Sequence, residues 1–393
     1  MHTDVLIIGA GLAGITAAIR LQELGFKPTI IDASLPEAKG SLGGFVKFSG
    51  AKFSLPPAGL GLIPVVGSQD ALWAVIENIA GILDLQLDIS NLSRDECAQH
   101  GSLRQYSSTV LTPTEIDELL IRLTVKLQER NINVINGKCI SLQATGKTTS
   151  AEIQTTSGVQ RIFCQSVFYA GGRLGTETLT KFGVKTTDKK GLDVGFRVEF
   201  SNNEAVANLR KLGPDAKIIK NNCRTFCLNV PGEIFRYPFK NLSIPGGIVS
   251  TGNLSNFGIL YRTNEKEKLL NRITRNSENI PKNVLENPID VSSGLLGESE
   301  AILSHLYGQE IVLQLKEFGN YLQTEGLVNW DVPHKIHLPL IDWHWPTFSK
   351  ENTFKTNVET VYCLGDASGH ARGLLQAAAS GWVAAEEYSC TVH

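Results

Sequence analysis

A short apolar run, Val5 to Ile8, is followed at once by Gly9, Gly11 and Gly14 in the spacing G-x-G-x-x-G. Few folds can use that order. The first glycine allows a tight turn, the second lets a diphosphate approach the backbone, and the third lets the next helix pack on the strand. Ala17, Ala18, Leu21 and Leu24 give that helix, from about Leu12, an apolar stripe, and Gly25 ends it. Pro28 to Ile31 read as a second strand, with Asp32 at its end where a carboxylate can accept from a ribose. A glycine-rich turn without a ligand would explain the glycines. It would not explain the strand before them, the helix after them and the acid at position 32.

Composition narrows the class further. The chain has 393 residues, 42 % hydrophobic and 19 % charged, enough for two domains or one discontinuous one. A net charge of −2 gives no electrostatic case for nucleic acid. Seven cysteines without zinc-type spacing fit a reducing, cytoplasmic setting. The sequence shows no signal peptide, no membrane-spanning apolar run and no repeat.

After Asp32 the chain does not continue in βαβ units. Lys39 to Pro64 is rich in Gly, Ser and Pro and reads as an extended loop. In it Gly43 and Gly44 let backbone pass a bulky ligand, or it is a surface Ω-loop. Thr112, Pro113 and Glu115 form a capping box for a helix lined by Ile116, Leu119, Leu120, Leu123 and Leu127. A strand at Asn133 to Ile135 and a hairpin of Ala151–Thr155 with Arg161–Cys164 follow. Val167 to Ala170 read as a buried strand, turning on Gly171 and Gly172.

The order of G-x-G-x-x-G, Gly-Gly loop, FYAGG strand and C-terminal CLGDASG resembles the FAD-binding oxidoreductases of the glutathione-reductase-like superfold. DVGFRVE (Asp193 to Glu199), RTFC (Arg224 to Cys227), SNFGILYR (Ser255 to Arg262) and GDASGHARGLLQAAASG are similar to a group of bacterial FAD-dependent dehydrogenases. The chain departs from that group after RTFC, where Leu228 to Glu233 stand in place of Cys-Pro-Gly-Gly.

The resemblance implies an α/β fold: a discontinuous Rossmann-like FAD-binding domain with an inserted mixed α+β substrate domain. The expected segments are 1–60, 110–195 and 341–393 for FAD, 61–109 for a cap or a piece of the substrate domain, and 196–340 for the substrate or cap domain. FAD is the expected cofactor. Its implied contacts are Gly9, Gly11, Leu12, Ala13, Gly14, Asp32, Ala33, Gly43, Gly44, Cys139, Ala170, Gly171, Gly172, Gly365, Asp366, Gly373, Leu374 and Leu375. Asp366 would meet the ribityl hydroxyls, or merely cap a helix. The helix starting near Gly373 would aim its N–H groups at the flavin ring, and Gly381 relieves packing lower down.

Between Phe196 and Pro333 the sequence reads as sheet and helix. FRVEFS, KIIK, NCRTFCLNV and EIFRYPF are expected strands, the last two around a Pro231-Gly232 turn, with GGIVSTGN and FGILYRT continuing the sheet. Helices are expected at Lys266–Thr274 and Ser299–Leu322, with a surface loop at Asn276–Ser293. The catalytic candidates are His370 as a proton shuttle, Arg372 as an anion holder and Cys227 as a thiol near the ring. His370 bonded to a loop carbonyl and Cys227 as an inert buried thiol are the plainer readings. By strand alternation Cys223 and Cys227 share a face, opposite Arg224. Substrate candidates are Arg224, Asn256 and Trp343, with Arg262 further out. Arg197 and Glu199 share a face as an interface ion pair or as site lining. His334 to Pro346 holds three His and two Trp, but no Cys or carboxylate cluster completes a metal shell, so no metal is expected. Trp343 and Trp345 alternate onto one face.

The function expected from this reading is an FAD-dependent oxidoreductase, a dehydrogenase or reductase exchanging hydride between flavin and an organic substrate. An O2-using monooxygenase or oxidase, or a non-catalytic FAD-carrying subunit, are the alternatives. No second G-x-G-x-x-G follows a strand, so electrons would come from substrate, a transiently bound NAD(P)H or a redox protein. No redox-disulfide pair is present in the sequence. The substrate stays open.

Overall fold

The structure, a computed structural model, describes residues 1–33, 42–87, 99–100, 103–146, 148–187 and 190–392. Val5 to Ile7 are wholly buried, as a strand covered on both faces requires. The strand His2–Ile8 lies between Pro28–Asp32 and Gly158–Tyr169, parallel to both. Asn133–Asn136 extends this parallel sheet on one side and Val361–Cys363 on the other. The first half of Gly158–Tyr169 turns antiparallel with Thr148–Thr155, which pairs in turn with Lys138–Thr145. On one face lie the helices Leu12–Glu23, Gln69–Leu83, Pro113–Glu129 and Leu374–Val392. On the other face a smaller core gathers Leu6, Ile31, Cys139, Cys164 and Val167.

A second sheet of eight strands is built around Leu192–Phe200, antiparallel to both Ser255–Thr263 and His334–Asp342. Its core packs against Lys266–Ser277, Ser299–Tyr307 and Gln309–Thr324. The α/β class with a Rossmann-like parallel sheet and a second mixed domain is the architecture found. The second sheet takes in residues 192 and 342, and Leu103–Arg104 of the expected cap segment joins it through Lys217–Ile218. Among the described residues no single helix is long and apolar enough to cross a membrane.

Several expectations need correction. The loop at Lys39–Pro64 carries, where described, a 3-10 turn at Gly44–Val46, a strand at Lys52–Ser54 and a 3-10 turn at Leu60–Leu62. Short elements without a helical period leave no mark in a sequence. The strands Cys223–Asn229 and Gly232–Phe239 are not partners. The first joins the second sheet, while the second pairs with Leu242–Val249 as a separate hairpin. The helix expected over Ser299–Leu322 breaks at Gly308, whose φ of +102° suits glycine. The loop at Asn276–Ser293 contains the helix Lys282–Glu286 and the strand Ile289–Val291.

Candidate active site

The two chain ends meet through their helices. Thr16 Oγ1 donates to the Ala378 carbonyl at 2.7 Å. A Cβ at Gly381 would stand 2.0 Å from the Ala13 carbonyl oxygen, so only glycine permits this approach. At Gly365, in the turn before the C-terminal helix, an added Cβ would lie 3.7 Å from the Ala13 Cβ, so the two turns are close neighbours. The glycine turn and the C-terminal motif, 350 residues apart in sequence, therefore form one site.

The turn itself is built as its spacing demands. Gly9 has φ +113°, and a Cβ there would strike the Ala170 carbonyl. Gly14 packs so tightly that a Cβ would lie 2.0 Å from Gly9 O. Gly11 differs: an added Cβ meets nothing nearer than Ala170 O at 4.0 Å. Gly11 caps the first helix without any side-chain hydrogen bond, and no acid lies in the first turn. The first helix thus starts without a side-chain cap beside a turn with room at Gly11, which suits a diphosphate at its positive end. Gly44 closes in from the loop, with the Gly43 N–H donating to Ala10 O at 2.7 Å. One Asp32 oxygen accepts from the Ala10 N–H at 2.6 Å, tying the acid to the turn. Ala33 follows on an exposed turn, and Gly171 and Gly172 are half-buried beside Gly9. Leu374 opens the C-terminal helix half-buried, whereas Leu375 is wholly in the core, leaving only its backbone for a ligand.

Cys139 does not present its thiol to this cradle. It pairs with Ile153, sits in the core beneath the sheet, and burial pushes its thiol up to about 12. Only the backbone beside it, where the Gly137 N–H donates to Asp32 O, stays near the acid.

Beyond the cradle, several segments converge on a ring of arginines, acids and aromatics. Arg173, in the turn after Gly158–Tyr169, lies 3.1 Å from Asp366. Arg372 reaches Asp366 at 3.1 Å and Asp342 at 2.6 Å. Arg224 stands 3.5 Å from Asp342 and 2.6 Å from Asp193, which also holds Arg262 at 2.5 Å. A ladder of alternating charge therefore runs from the glycine cradle into the second sheet. It brings together the expected Arg372, Asp366, Arg224 and Arg262.

The aromatics stack onto that ladder. The Arg173 guanidinium lies 5.0 Å from the Phe45 ring, 5.6 Å from Tyr237 and 4.8 Å from Trp345. Arg372 lies over both Trp343 and Trp345, whose rings stack at 5.2 Å, although the strand ends at Asp342 and Trp343 has φ +59°, so the stacking does not come from strand alternation. His344 is 6 % exposed, enclosed by Phe239, Tyr237 and Trp345, and neither ring nitrogen has a partner. Burial, reinforced by Arg173 and Arg372, lowers its pKa to about 3, so it is a neutral imidazole. Burial would raise Asp342, but Arg372, Arg224 and Arg173 win and bring it down to about 2. Burial raises the Tyr237 phenol, keeping it a donor.

Other candidates fall elsewhere. His370 turns to the loop after the second sheet: its Nε2 meets Lys350 O at 2.9 Å and its ring edge meets Phe354. Of the two readings for His370, the bond to a loop carbonyl is the one seen, while Arg372 two residues on turns into the ladder. Cys227 has φ +48° at a bulge between Phe226 and Asn229, so strand alternation fails. Cys223 turns into the core toward Gln314 while Cys227 faces Lys52 and Arg197, and the two do not share a face. Asn256 accepts from Arg197 at 2.5 Å and from Asn229 at 3.1 Å, inside the second sheet. Arg197 and Glu199 form no ion pair; Glu199 lies instead 3.6 Å from His337. Among the described residues no group of His, Cys, Asp and Glu could hold a metal.

The sequence reading passed over Arg173, Asp342, His344 and Tyr237. Asp342 and His344 lay inside the quoted HKIHLPLIDWHWP segment, and Arg173 directly followed the Gly-Gly turn. Their convergence is a long-range fact that spacing does not carry.

Residues 4–51 match the FAD binding domain family. The cofactor is FAD. The open Gly11 turn and the uncapped first helix fit its diphosphate. Among curated proteins none matches in sequence. Of solved structures, OxyS anhydrotetracycline hydroxylase from Streptomyces rimosus is 12 % identical, with a TM-score of 0.42, over all of this chain and 63 % of that one. The flavin-dependent brominase Bmp2 is 11 % identical, with a TM-score of 0.48, over 100 % and 80 % of the two chains. A flavoprotein/dehydrogenase from Cytophaga hutchinsonii is 13 % identical, with a TM-score of 0.44, over 99 % and 79 %.

Proposed function

We propose that this protein is an FAD-dependent oxidoreductase, a monooxygenase for a planar, anionic organic substrate, with a transiently bound nicotinamide as electron donor. The observation that carries the reading is the Arg173 guanidinium set among Phe45, Tyr237 and Trp345 beside the unpartnered His344. Aromatic walls and arginines select a flat molecule bearing a carboxylate or phenolate. Oxidation of an alcohol or amine by hydride loss needs a base whose pKa lies near neutrality. The groups here are poor ones, with Asp342 near 2 and His344 near 3. Oxygen insertion into an electron-rich ring asks instead for a dry, positive chamber.

In this proposal the first-turn N–H groups after Gly11 hold the diphosphate. Asp366 and the backbone at Gly365 face the ribityl chain, and the N–H groups after Gly373 face the ring. Arg372 balances the negative charge of the reduced state, and Arg173 orients the substrate anion, with Tyr237 as a donor. The bound flavin supplies hydride acceptance and oxygen activation. The single dinucleotide motif within a glutathione-reductase-like superfold fits a donor that binds transiently.

A second reading, a dehydrogenase, rests on the phrases Asp193–Glu199 and Gly365–Gly381 shared with the bacterial dehydrogenase group. The deciding experiment supplies FAD-loaded protein with NADH or NADPH, 18O2 and a panel of aromatic carboxylates and phenols. The proposal expects product heavier by one 18O atom and none without oxygen. Equal turnover without oxygen in the presence of a dye acceptor would establish the dehydrogenase instead.

A further inference from the structure

Away from the arginine ladder, a second polar cluster is buried where the Lys52–Ser54 strand meets the second sheet. Arg197 is 1 % exposed, yet among the described residues no carboxylate pairs with it. Its Nη1 points at the Cys227 carbonyl at 3.2 Å and at Asn256 Oδ1, and its Nε has no hydrogen-bond partner. Lys52 donates to the Leu228 carbonyl and lies 3.8 Å from Asp215, which Lys217 also approaches at 3.9 Å. Two lysines therefore share Asp215, and Arg197 has no carboxylate of its own among the described residues. A buried guanidinium without a counter-anion is costly, so this geometry asks for a further negative charge.

The group in position to carry it is the Cys227 thiol. The bulge gives Cys227 its left-handed backbone and frees its side chain from the strand's alternation. The Asn229 amide nitrogen lies 3.7 Å from the sulfur and 3.0 Å from the Cys227 carbonyl, fixing the turn. Gly50, Gly232 and Gly247 leave room for this packing, since a Cβ at any of them would strike Asn229 within 2.3 Å. Cys227 is half-buried, whereas Cys139, Cys164, Cys223 and Cys363 are buried. Burial pushes the Cys227 thiol up and Asp215 adds to that, but Lys52, Arg197 and Asn229 outweigh them and lower it. Burial drives the Cys139, Cys164 and Cys223 thiols up to about 12, the opposite direction.

We infer that Cys227 is a stabilised thiolate and a covalent modification site for soft electrophiles, hydroperoxides above all. The sulfur attacks one oxygen of hydrogen peroxide, the O–O bond breaks, and the hydroxide that leaves is protonated to water by a buffer acid. The sulfur is oxidised by two electrons to a sulfenic acid, and the peroxide is reduced. An external thiol reverses the change through a mixed disulfide. If the monooxygenase reading holds, peroxide leaking from the reduced flavin is a local source. The thiolate itself does not depend on that reading, because the test supplies the oxidant.

The FAD-loaded protein is alkylated with iodoacetamide from pH 5 to 9, and Cys227 and the exposed Cys390 are followed by peptide mass. Cys227 is expected to react with a midpoint at least one pH unit below that of Cys390. Lys52→Gln should raise the midpoint and slow reaction at pH 7 by roughly tenfold, while Lys52→Arg restores it. The thiolate absorbance near 240 nm, as the difference between wild type and Cys227→Ser over the same range, reads the charge without need of access. Added hydrogen peroxide should give a dimedone adduct at Cys227. A 240 nm step at or above the Cys390 midpoint, or a midpoint indifferent to Lys52, would overturn the inference. Loss of oxygen insertion with these readouts intact would count against the function alone.

Discussion

Gly11 and Gly14 look alike in the sequence but do different physical work. At Gly14 a Cβ would stand 2.0 Å from the Gly9 carbonyl, so the residue is needed by the fold. At Gly11 the backbone has φ −73° and the nearest atom to an added Cβ is 4.0 Å away, so the fold tolerates a methyl group. What should exclude a methyl there is the ligand, since in the proposed mode the diphosphate takes that space. Gly11→Ala is therefore expected to leave the FAD-free protein within about 1 kcal/mol of wild type in urea unfolding. FAD affinity, read by flavin fluorescence quenching, should fall at least tenfold. Gly14→Ala should instead lower stability by about 2–3 kcal/mol through overpacking, before any question of ligand arises. Equal losses of stability in the two variants would contradict this division. Arg372 offers a related test. It is the nearest cation to the buried Asp342, at 2.6 Å. Arg372→Met removes that carboxylate's nearest partner and leaves Arg224 at 3.5 Å, so about 1–3 kcal/mol of stability should go with it. Arg372→Met together with Asp342→Asn should recover most of that loss, since neither charge is then left alone.

At the scale of elements, the pairing of the first and last helices makes one site from two chain ends. Gly381 sits where they touch, and the Thr16 hydroxyl bridges them to Ala378 O. Gly381→Ala should wedge them apart, costing about 1–3 kcal/mol. Unlike Gly11→Ala, it should weaken FAD retention and stability together. The same elements show what sequence can carry. The strand, turn and helix at residues 5–23 and the capping box at Thr112 are local, and their residue types report them directly. The antiparallel pairing of residues 148–155 with 158–164 is local too. The bulge at Cys227 is not, because nothing in RTFCLN marks which residue will turn left-handed. That one residue moves Cys227 from the Cys223 side to the Lys52 side and undoes an inference drawn from alternation. The break at Gly308 hides for a related reason, since a glycine inside a long apolar pattern reads as a tolerated helix residue until its φ is known. Arg173 and His344 were visible as letters only, and their meeting depends on a fold in which residues 45, 173, 237, 344 and 372 converge.

For the whole molecule, the buried histidines set how the protein meets acid. His344 lies among Phe239, Tyr237 and Trp345, and burial followed by Arg173 holds its folded pKa near 3, against 6.5 when free. A group depressed in this way binds its proton more readily in the unfolded chain. Between pH 6.5 and about 3 the unfolded state therefore gains a proton that the folded state refuses, and stability falls as pH drops. His337 is lowered as well, by burial that outweighs its Glu199 neighbour, and adds to the same trend. Asp342 acts in a different window. Its folded value is near 2, so its contribution is complete above the ordinary carboxylate range and is lost only as pH approaches that value. Acid sensitivity from pH 6.5 down to about 4 is thus assigned to His344 and His337 and not to Asp342. Replacing His344 with Phe removes the titrating group and keeps a ring among rings. The melting temperature of wild type should drop steadily from pH 7 to 4.5. In His344→Phe the slope should be shallower by up to about 1.4 kcal/mol per pH unit once converted to free energy. A slope unchanged by that substitution would mean that His344 accepts its proton within the folded protein, and the dry chamber on which the proposed chemistry depends would then be a wet one.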